Sequence, residues 1–266
     1  MSASITHVRL GDMTASQFAL SVRDNPVILL PLGSQEDHGA YQPMGDYLLA
    51  DMVAERIARR AGEQGVAAFV APTLPFGVAD YFGSSPGGLA LAPESFRRVL
   101  LDVLSGLLRH GLRKIVILNA HGGNVPVIHE VALRLKHEQG VVIPSFYLWK
   151  IARQLMERRI GAANGRFGHG AEPLLALNLA LRPGCVGQTE AGGAGRAELL
   201  GLPVSGFGTL DFQGLTVEAP VEFGEAPKEA IGLAWQERDA ALGGEIAEAL
   251  VCAGAEFVSH FNGAVA

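Results

Sequence analysis

Three short stretches of this sequence concentrate carboxylates and imidazoles. The first is Glu36-Asp37-His38, followed by Asp46. In an extended loop, alternate residues share a side, so Glu36 and His38 can point the same way. A carboxylate beside a neutral imidazole is a donor set for Zn, Mn or Fe(II). The second stretch is Asn119-Ala120-His121-Gly122-Gly123-Asn124. Its two glycines leave room for a ligand or metal to approach the backbone. The third is GHGAEP, where His169 and Glu172 stand at i and i+3 at a helix start and share a side. A loop over 77–88, GVADYFGSSPGG, adds Tyr81, Ser84 and Ser85 as polar contacts. Each piece also has a plainer account. A loop histidine beside acids is usually just solvated, a Gly-rich turn can carry a histidine by chance, and Glu172 could simply favour a helix N-terminus.

The elements that must carry these pieces favour chemistry. PVILLPL (26–32), VAAFVAP (66–72), KIVIL (114–118) and VVIPSFYLW (141–149) are apolar runs with no alternation, as strands buried on both faces require. Between them, 47–60 spaces Leu48, Leu49, Met52, Val53 and Ile57 helically. Pro93 opens a second helix that Gly111 ends, and 125–138 forms a third. This order predicts an α/β domain with a mostly parallel central sheet flanked by helices. Ligands in such sheets sit beyond the carboxyl ends of the strands. GSQEDHGAYQPMGD, the 77–88 loop and NAHGGN all follow strands, so they should converge on one edge. They bring two carboxylates and a histidine, then a histidine, then a histidine and a glutamate from the third stretch. That is enough for a two-metal site.

The second half is less patterned. KIARQLMERRI (150–160) reads as an amphipathic helix, and GHGAEPLLALNLALRP as a loop entering a helix with Glu172 and Pro173 in its first turn. Short β-like pieces occupy 183–225, and a last helix spans roughly 228–253. Without a linker, repeat or low-complexity tract, 1–266 reads as one domain.

Composition bounds the function. In 266 residues, 48% are hydrophobic and 18% charged, which excludes a disordered chain. The 21 basic and 27 acidic residues leave a net charge of −6 with no basic block, so nucleic acid and anionic membranes are poor partners. Two cysteines cannot build a disulfide framework or a thiolate zinc site. No run reaches the ~20 apolar residues of a membrane span, and the N-terminus has no signal-peptide pattern. A cytoplasmic protein is expected. The mean hydropathy of +0.24 with so little charge predicts apolar surface covered in a homo-oligomer.

The three stretches together resemble the creatininase family. PLGSQEDHGAYQPMGD is similar to its first motif, a strand running into G-S/A-x-E-x-H-G and ending at a bridging Asp. NAHGGN resembles N-G-H-G-G-N, and GHGAEP resembles H-A/G-G-E, all in order over about 26–182. The resemblance implies a creatininase-like α/β fold with two divalent metal ions per chain (Zn, Mn or Fe). It implies hydrolysis of a C–N bond in a small amide, lactam or cyclic amide through a metal-bridged hydroxide, in a homo-oligomer with a hexamer favoured. Carried over, Glu36 and His121 would bind one metal and His38 the other, with Asp46 bridging. Where creatininase has a glutamate two residues after the second-motif histidine, this chain has Gly123, so Glu172 becomes the replacement ligand. His169 and Glu172 are then the candidate catalytic residues, His169 as the acid for the leaving nitrogen. Tyr81, Ser84, Ser85, Gly122 and Gly123 would meet substrate, while Asn119 and Asn124 hold their loop. The stretch from His38 to Asp46 is one residue shorter than in creatininase, Tyr41 stands where a histidine is frequent, and Leu174, Leu175 and Ala176 replace polar residues. These departures point to a substrate other than creatinine. A formamide deformylase acting on a heterocycle and a non-catalytic metal-binding maturation partner are the alternatives.

Overall fold

Strand β1 (Val27–Leu32) has no polar side chain, and all six of its residues are buried. Its alternate side chains enter different layers. Val27 and Leu29 pack on one side of the sheet, Ile28, Leu30 and Leu32 on the other. This is why the run shows no alternation of apolar and polar residues. Strands β2 (Ala68–Val70), β3 (Ile115–Asn119) and β4 (Ser145–Tyr147) complete a parallel sheet in the order β2-β1-β3-β4. The register matters for function. Leu32 pairs with Asn119, and Asn119 with Tyr147, so the carboxyl ends of β1, β3 and β4 are level.

The structure, a computed structural model, describes residues 7–39, 41–83, 85–162, 167–187, 195, 197–206, 208–227 and 238–264. Its helices are α1 (Ala15–Ser21), α2 (Tyr47–Glu63), α3 (Pro93–Arg109), α4 (Val125–Gln139), α5 (Leu148–Ile160), α6 (Leu174–Leu181) and α7 (Ala240–Ala264). Helices α3 and α4 cover one face of the sheet through Phe96, Leu100, Leu104, Val131 and Leu135. Helices α2, α5, α6 and α7 cover the other through Val53, Ile57, Met156, Leu177, Ile246 and Leu250. The expected α/β architecture with a parallel sheet between helical layers is the one observed.

Three expectations shift. The sequence pattern puts the last helix at roughly 228–253; α7 runs Ala240–Ala264, and 228–237 lie outside the described residues. Gly243 and Gly254 let α7 press against Ala176 of α6 and Ile57 of α2, where a Cβ would have no space. Burial from that contact overrides the weak helix propensity of a Gly-rich segment. The fourth strand shortens to Ser145–Tyr147 because Leu148, fully buried, already opens α5. Glu172 precedes α6, whose N-cap is Pro173, instead of lying in its first turn.

The β-like pieces form a second, antiparallel sheet of β5 (Glu198–Leu199), β6 (Leu202–Gly206), β7 (Thr209–Phe212) and β8 (Leu215–Glu218), in sequence order. Gln213 and Gly214 join β7 to β8, both at positive φ, as a two-residue hairpin of right-handed twist requires. The inner face buries Val204 and Leu210 against Ala79, Phe82 and Phe223. This small sheet therefore braces the loop after β2.

Candidate metal centre

The residues beyond the level ends of β1 and β3 are held in place by backbone and amide bonds. Asp46 is the N-cap residue of α2, and its carboxylate turns back to accept the Ser34 amide (2.6 Å) and hydroxyl (3.2 Å). That return is possible because residue 33 is glycine: a Cβ there would collide with Asp46 Oδ1 and with the Tyr47 backbone. After β3, Asn119 Nδ2 donates to the His121 carbonyl (2.6 Å), and its Oδ1 accepts from the His121 amide (3.2 Å). Asn124 Nδ2 donates to the Gly33 carbonyl (3.2 Å), and its Oδ1 accepts from the Val78 amide (3.0 Å). Asn119 and Asn124 thus tie three loops together, the role expected of them.

Glu36, His38, Asp46 and His121 meet inside this frame, each at most 4% exposed. Glu36 Oε1 lies 3.0 Å from His121 Nδ1 and 3.2 Å from His38 Nε2. Asp46 Oδ2 lies 3.9 Å from each of those two nitrogens. The outer nitrogen of each ring is fixed by a backbone carbonyl. His38 Nδ1 donates to Pro43 O at 3.2 Å, and His121 Nε2 to Val78 O at 2.6 Å. A carbonyl only accepts, so each outer nitrogen carries the hydrogen. In neutral rings the inner nitrogens are then bare and face carboxylate oxygens. Acceptors facing acceptors at about 3 Å repel unless a proton or a cation lies between them. Pinning the outer nitrogen of a ligating histidine to a carbonyl is also how metal sites orient their imidazoles.

The electrostatics agree. Burial alone lowers the basicity of His121, but the hydrogen bond and charge of Glu36 more than reverse it, to about 9. His38 is raised on the same grounds. Burial pushes Asp46 up to about 7, with the charge of Glu36 adding to it. Glu36 opposes its own burial through its bonds to His121 and His38, which hold it well below the ordinary carboxylate range. Without metal, protons stand in for cations. Among the described residues, two sets of ligand atoms lie close enough to hold an ion: Glu36 with Asp46 and His121, and Glu36 with His38 and His169. Glu36 is common to both.

A prediction follows for the metal-free chain. A histidine whose folded pKa is raised stabilises the fold below its unfolded value, about 6.5, and loses that contribution as pH rises through the folded value. Asp46, raised to about 7, has lost most of its own contribution by pH 7. Between pH 7 and 9, His121 decides. The melting temperature of chelator-treated protein should fall over that window by on the order of 5 °C. Zinc- or manganese-loaded protein should show no such fall, because the cation replaces the proton. A thermal-shift series at both metal states checks it.

His169 is clamped between two rings, stacked on His38 at 4.8 Å and on Phe82 at 4.3 Å, with the edge of Phe223 at 4.7 Å. Its Nε2 donates to Asp37 O at 2.6 Å. Burial, then the charge of His38, pushes it down to about 3, so it is neutral across the physiological range. Glu172 belongs to neither ligand set among the described residues. Its Oε2 accepts from the Ala176 amide at 3.0 Å, across the start of α6. Of the expected substrate contacts, Tyr81, Gly122 and Gly123 line a cavity of about 290 Å³ at the centre. Ser85 does not line it; its hydroxyl donates to Asp37 Oδ2 at 2.7 Å. Ser84 lies outside the described residues. At Gly123 a Cβ would collide with the Val78 carbonyl and lie 2.6 Å from His121 Nε2, so no side chain fits there.

Sequence reasoning missed Val78, Phe82, Tyr147, Trp149 and Leu174, which wall the same cavity. Tyr147 ends β4 and Trp149 lies just beyond it, where the motifs stand relative to β1 and β3, so searching the end of the fourth strand would have found them. Burial, with the charges of Asp46 and Glu36, pushes the Tyr147 phenol up to about 12, so it remains a hydrogen-bond donor.

Comparison with known proteins gives a consistent result. The family model for creatininase, described as creatinine amidohydrolase, matches residues 11–258. A 3-dehydro-scyllo-inosose hydrolase of Thermotoga maritima is 32% identical over 132 residues, 48% of this chain and 41% of its own length. A creatinine amidohydrolase of Pseudomonas putida is 31% identical over 144 residues, 50% of this chain and 54% of its own. A mycofactocin precursor peptide peptidase of Mycolicibacterium smegmatis is 29% identical over 131 residues, 48% of this chain and 51% of its own. The matches thus span about half the length of these curated relatives. Among solved structures, a mutant creatininase of Zn–Zn type superposes with a TM-score of 0.70 at 22% identity, covering 96% of this chain and 98% of that one. A manganese creatininase gives 0.70 at 23%, with the same coverage.

Proposed function

The chain belongs to the creatininase family, and from that premise we propose that it is a metal-dependent amidohydrolase cleaving a C–N bond of a small amide, lactam or cyclic amide. The observation that carries this reading is the pair of buried imidazoles whose outer nitrogens are fixed by carbonyls and whose inner nitrogens face Glu36 and Asp46. Glu36, His38, Asp46 and His121 would hold up to two Zn, Mn or Fe ions, with Asp46 Oδ2 equidistant from the two inner nitrogens. Borderline N/O ligands without a thiolate suit these metals. Divalent ions there would polarise an amide carbonyl and bring the pKa of water down towards ~7.

The remaining residues have their own tasks. His169 is neutral, and with Nε2 donating to Asp37 O its proton acceptor is Nδ1. We assign it to take a proton from the attacking water and return it to the leaving nitrogen. The clamp of His38 and Phe82 fixes the plane in which it does so. Phe82, Trp149 and Leu174 wall the cavity with apolar surface, which excludes bulk water and strengthens every charge interaction inside. The Tyr147 hydroxyl, Gly122, Gly123 and Tyr81 line the space left for substrate. Glu172 is assigned to hold the GHGAEP stretch against α6. Ser85 steadies Asp37, whose carbonyl holds His169.

The test is a screen of lactams, formamides and hydantoin-like rings with metal-loaded protein. Turnover of at least one class is expected, lost on chelation and restored by Zn²⁺ or Mn²⁺. Turnover indifferent to chelation, or metal binding with no amide hydrolysis at all, would contradict the proposal.

A further inference from the structure

Tyr147 and Gly122 line the cavity at the metal centre. Both also line a second, more open cavity of about 640 Å³ along the start of α5. Tyr147 is the N-cap of α5, and Lys150, Ile151 and Gln154 follow at i+3, i+4 and i+7. The four form one stripe on the helix, roughly 10 Å long at 1.5 Å per residue. The opposite face of α5, Leu148, Ala152 and Met156, is spent in the core. Ser145, Val125 and Pro126 form the other wall of the groove.

Two details give the groove a chemistry. Gly122 and Tyr147 form the border that the groove shares with the metal pocket. A Cβ on Gly122 would come within 3.0 Å of the Tyr147 hydroxyl, and Gly122 is not among the residues at positive φ, so space and not backbone conformation is what its lack of a side chain provides. Lys150 is the one charged residue among the groove's lining, and among the described residues it makes no ion pair. On the same helix Arg153 pairs with Glu157 and Arg159 with Glu245. A cation on a groove contiguous with a hydrolytic pocket is placed to meet an anion on the substrate.

We infer that this groove is a second binding site, contiguous with the metal pocket, for an extended arm of the substrate that ends in a carboxylate or phosphate held by Lys150. The inference rests on the hydrolase reading for the other end of that substrate. An amide over the metal centre would send its arm past Gly122 and Tyr147, with the methylenes of the arm against Val125 and Ile151 and the anion at Lys150.

The experiment compares N-formyl-6-aminohexanoate with its uncharged primary amide on the metal-loaded full chain, by calorimetric binding and by kcat/KM. The carboxylate should be favoured about fivefold at low salt, the range of a partly exposed ion pair, and the ratio should approach one near 0.5 M NaCl. Lys150→Ala should bring the ratio to about one at low salt, and Lys150→Glu should invert it. N-formyl-5-aminopentyl phosphate ranks the two anions. Tighter binding than the carboxylate makes phosphate the natural terminus, and weaker binding makes it the carboxylate. Equal binding of the charged and neutral compounds, no binding of either, or a preference that survives Lys150→Ala would overturn the groove assignment. A charge preference in calorimetry without turnover would support the groove assignment and exclude formamides as the hydrolysed class.

Discussion

Glu36→Gln should cost about 10³–10⁴-fold in turnover and lower the metal content of the purified protein. Glu36 is the one carboxylate common to both potential ligand sets, and both inner imidazole nitrogens lie within 3.2 Å of it. The amide is nearly isosteric, so the cavity and the loop positions should survive. What is lost is a negative charge buried at 1% exposure between two imidazoles. Metal-borne charge stabilisation is worth several kcal/mol, and each 1.36 kcal/mol is a factor of ten in rate. A second effect separates this from unfolding. Without Glu36 the raised affinity of His121 for protons loses its main source, so the fall in melting temperature between pH 7 and 9 should shrink in chelator. A variant that keeps full metal content and activity would remove Glu36 from the centre.

His169→Ala should leave metal content close to that of the parent and reduce turnover by roughly 10²–10⁴-fold, the range of a general acid–base group. Geometry makes this a sharp test, because His169 also lies within reach of Glu36 and His38 as a potential ligand. Metal analysis decides between the two. If the substitution strips an ion, His169 is a ligand and the proton carrier must be sought elsewhere, with the Tyr147 hydroxyl the next group in the cavity. The pH profile adds an independent readout, since loss of a proton acceptor should steepen the dependence of rate on hydroxide. Glu172→Gln provides the comparison. Its bond to the Ala176 amide can persist through the amide oxygen, so little change in metal content is expected.

Much of this site was legible because a parallel sheet writes it into the sequence plainly. Unalternating runs such as VILLPL can only be buried on both faces, and the Gly-rich segments that follow them must lie at one edge. Glu36, His38, Asp46 and His121 were found by that logic and do converge. The partners that orient them were not legible. Pro43, Val78 and Asp37 act through backbone carbonyls, which leave no mark in a side-chain pattern. Phe82 was hidden differently. It depends on residues more than a hundred positions away, where Leu210 of the second sheet and Phe223 beyond that sheet press the loop onto His169. Ser85 shows the limit from the other side: a plausible contact by type and position, it turns to Asp37.

The central claim is that the buried cluster at the ends of β1 and β3 is a divalent-metal centre. Its most direct test is an anomalous difference map from crystals grown with Zn²⁺ or Mn²⁺, recorded at the absorption edge of the added metal. Density is expected within bonding distance, about 2.0–2.3 Å, of Glu36, His121 and His38 nitrogens or oxygens, with His38 Nδ1 and His121 Nε2 still bonded to their carbonyls. A cluster without anomalous density at saturating metal, with its imidazoles still bonded to Glu36 alone, would contradict it.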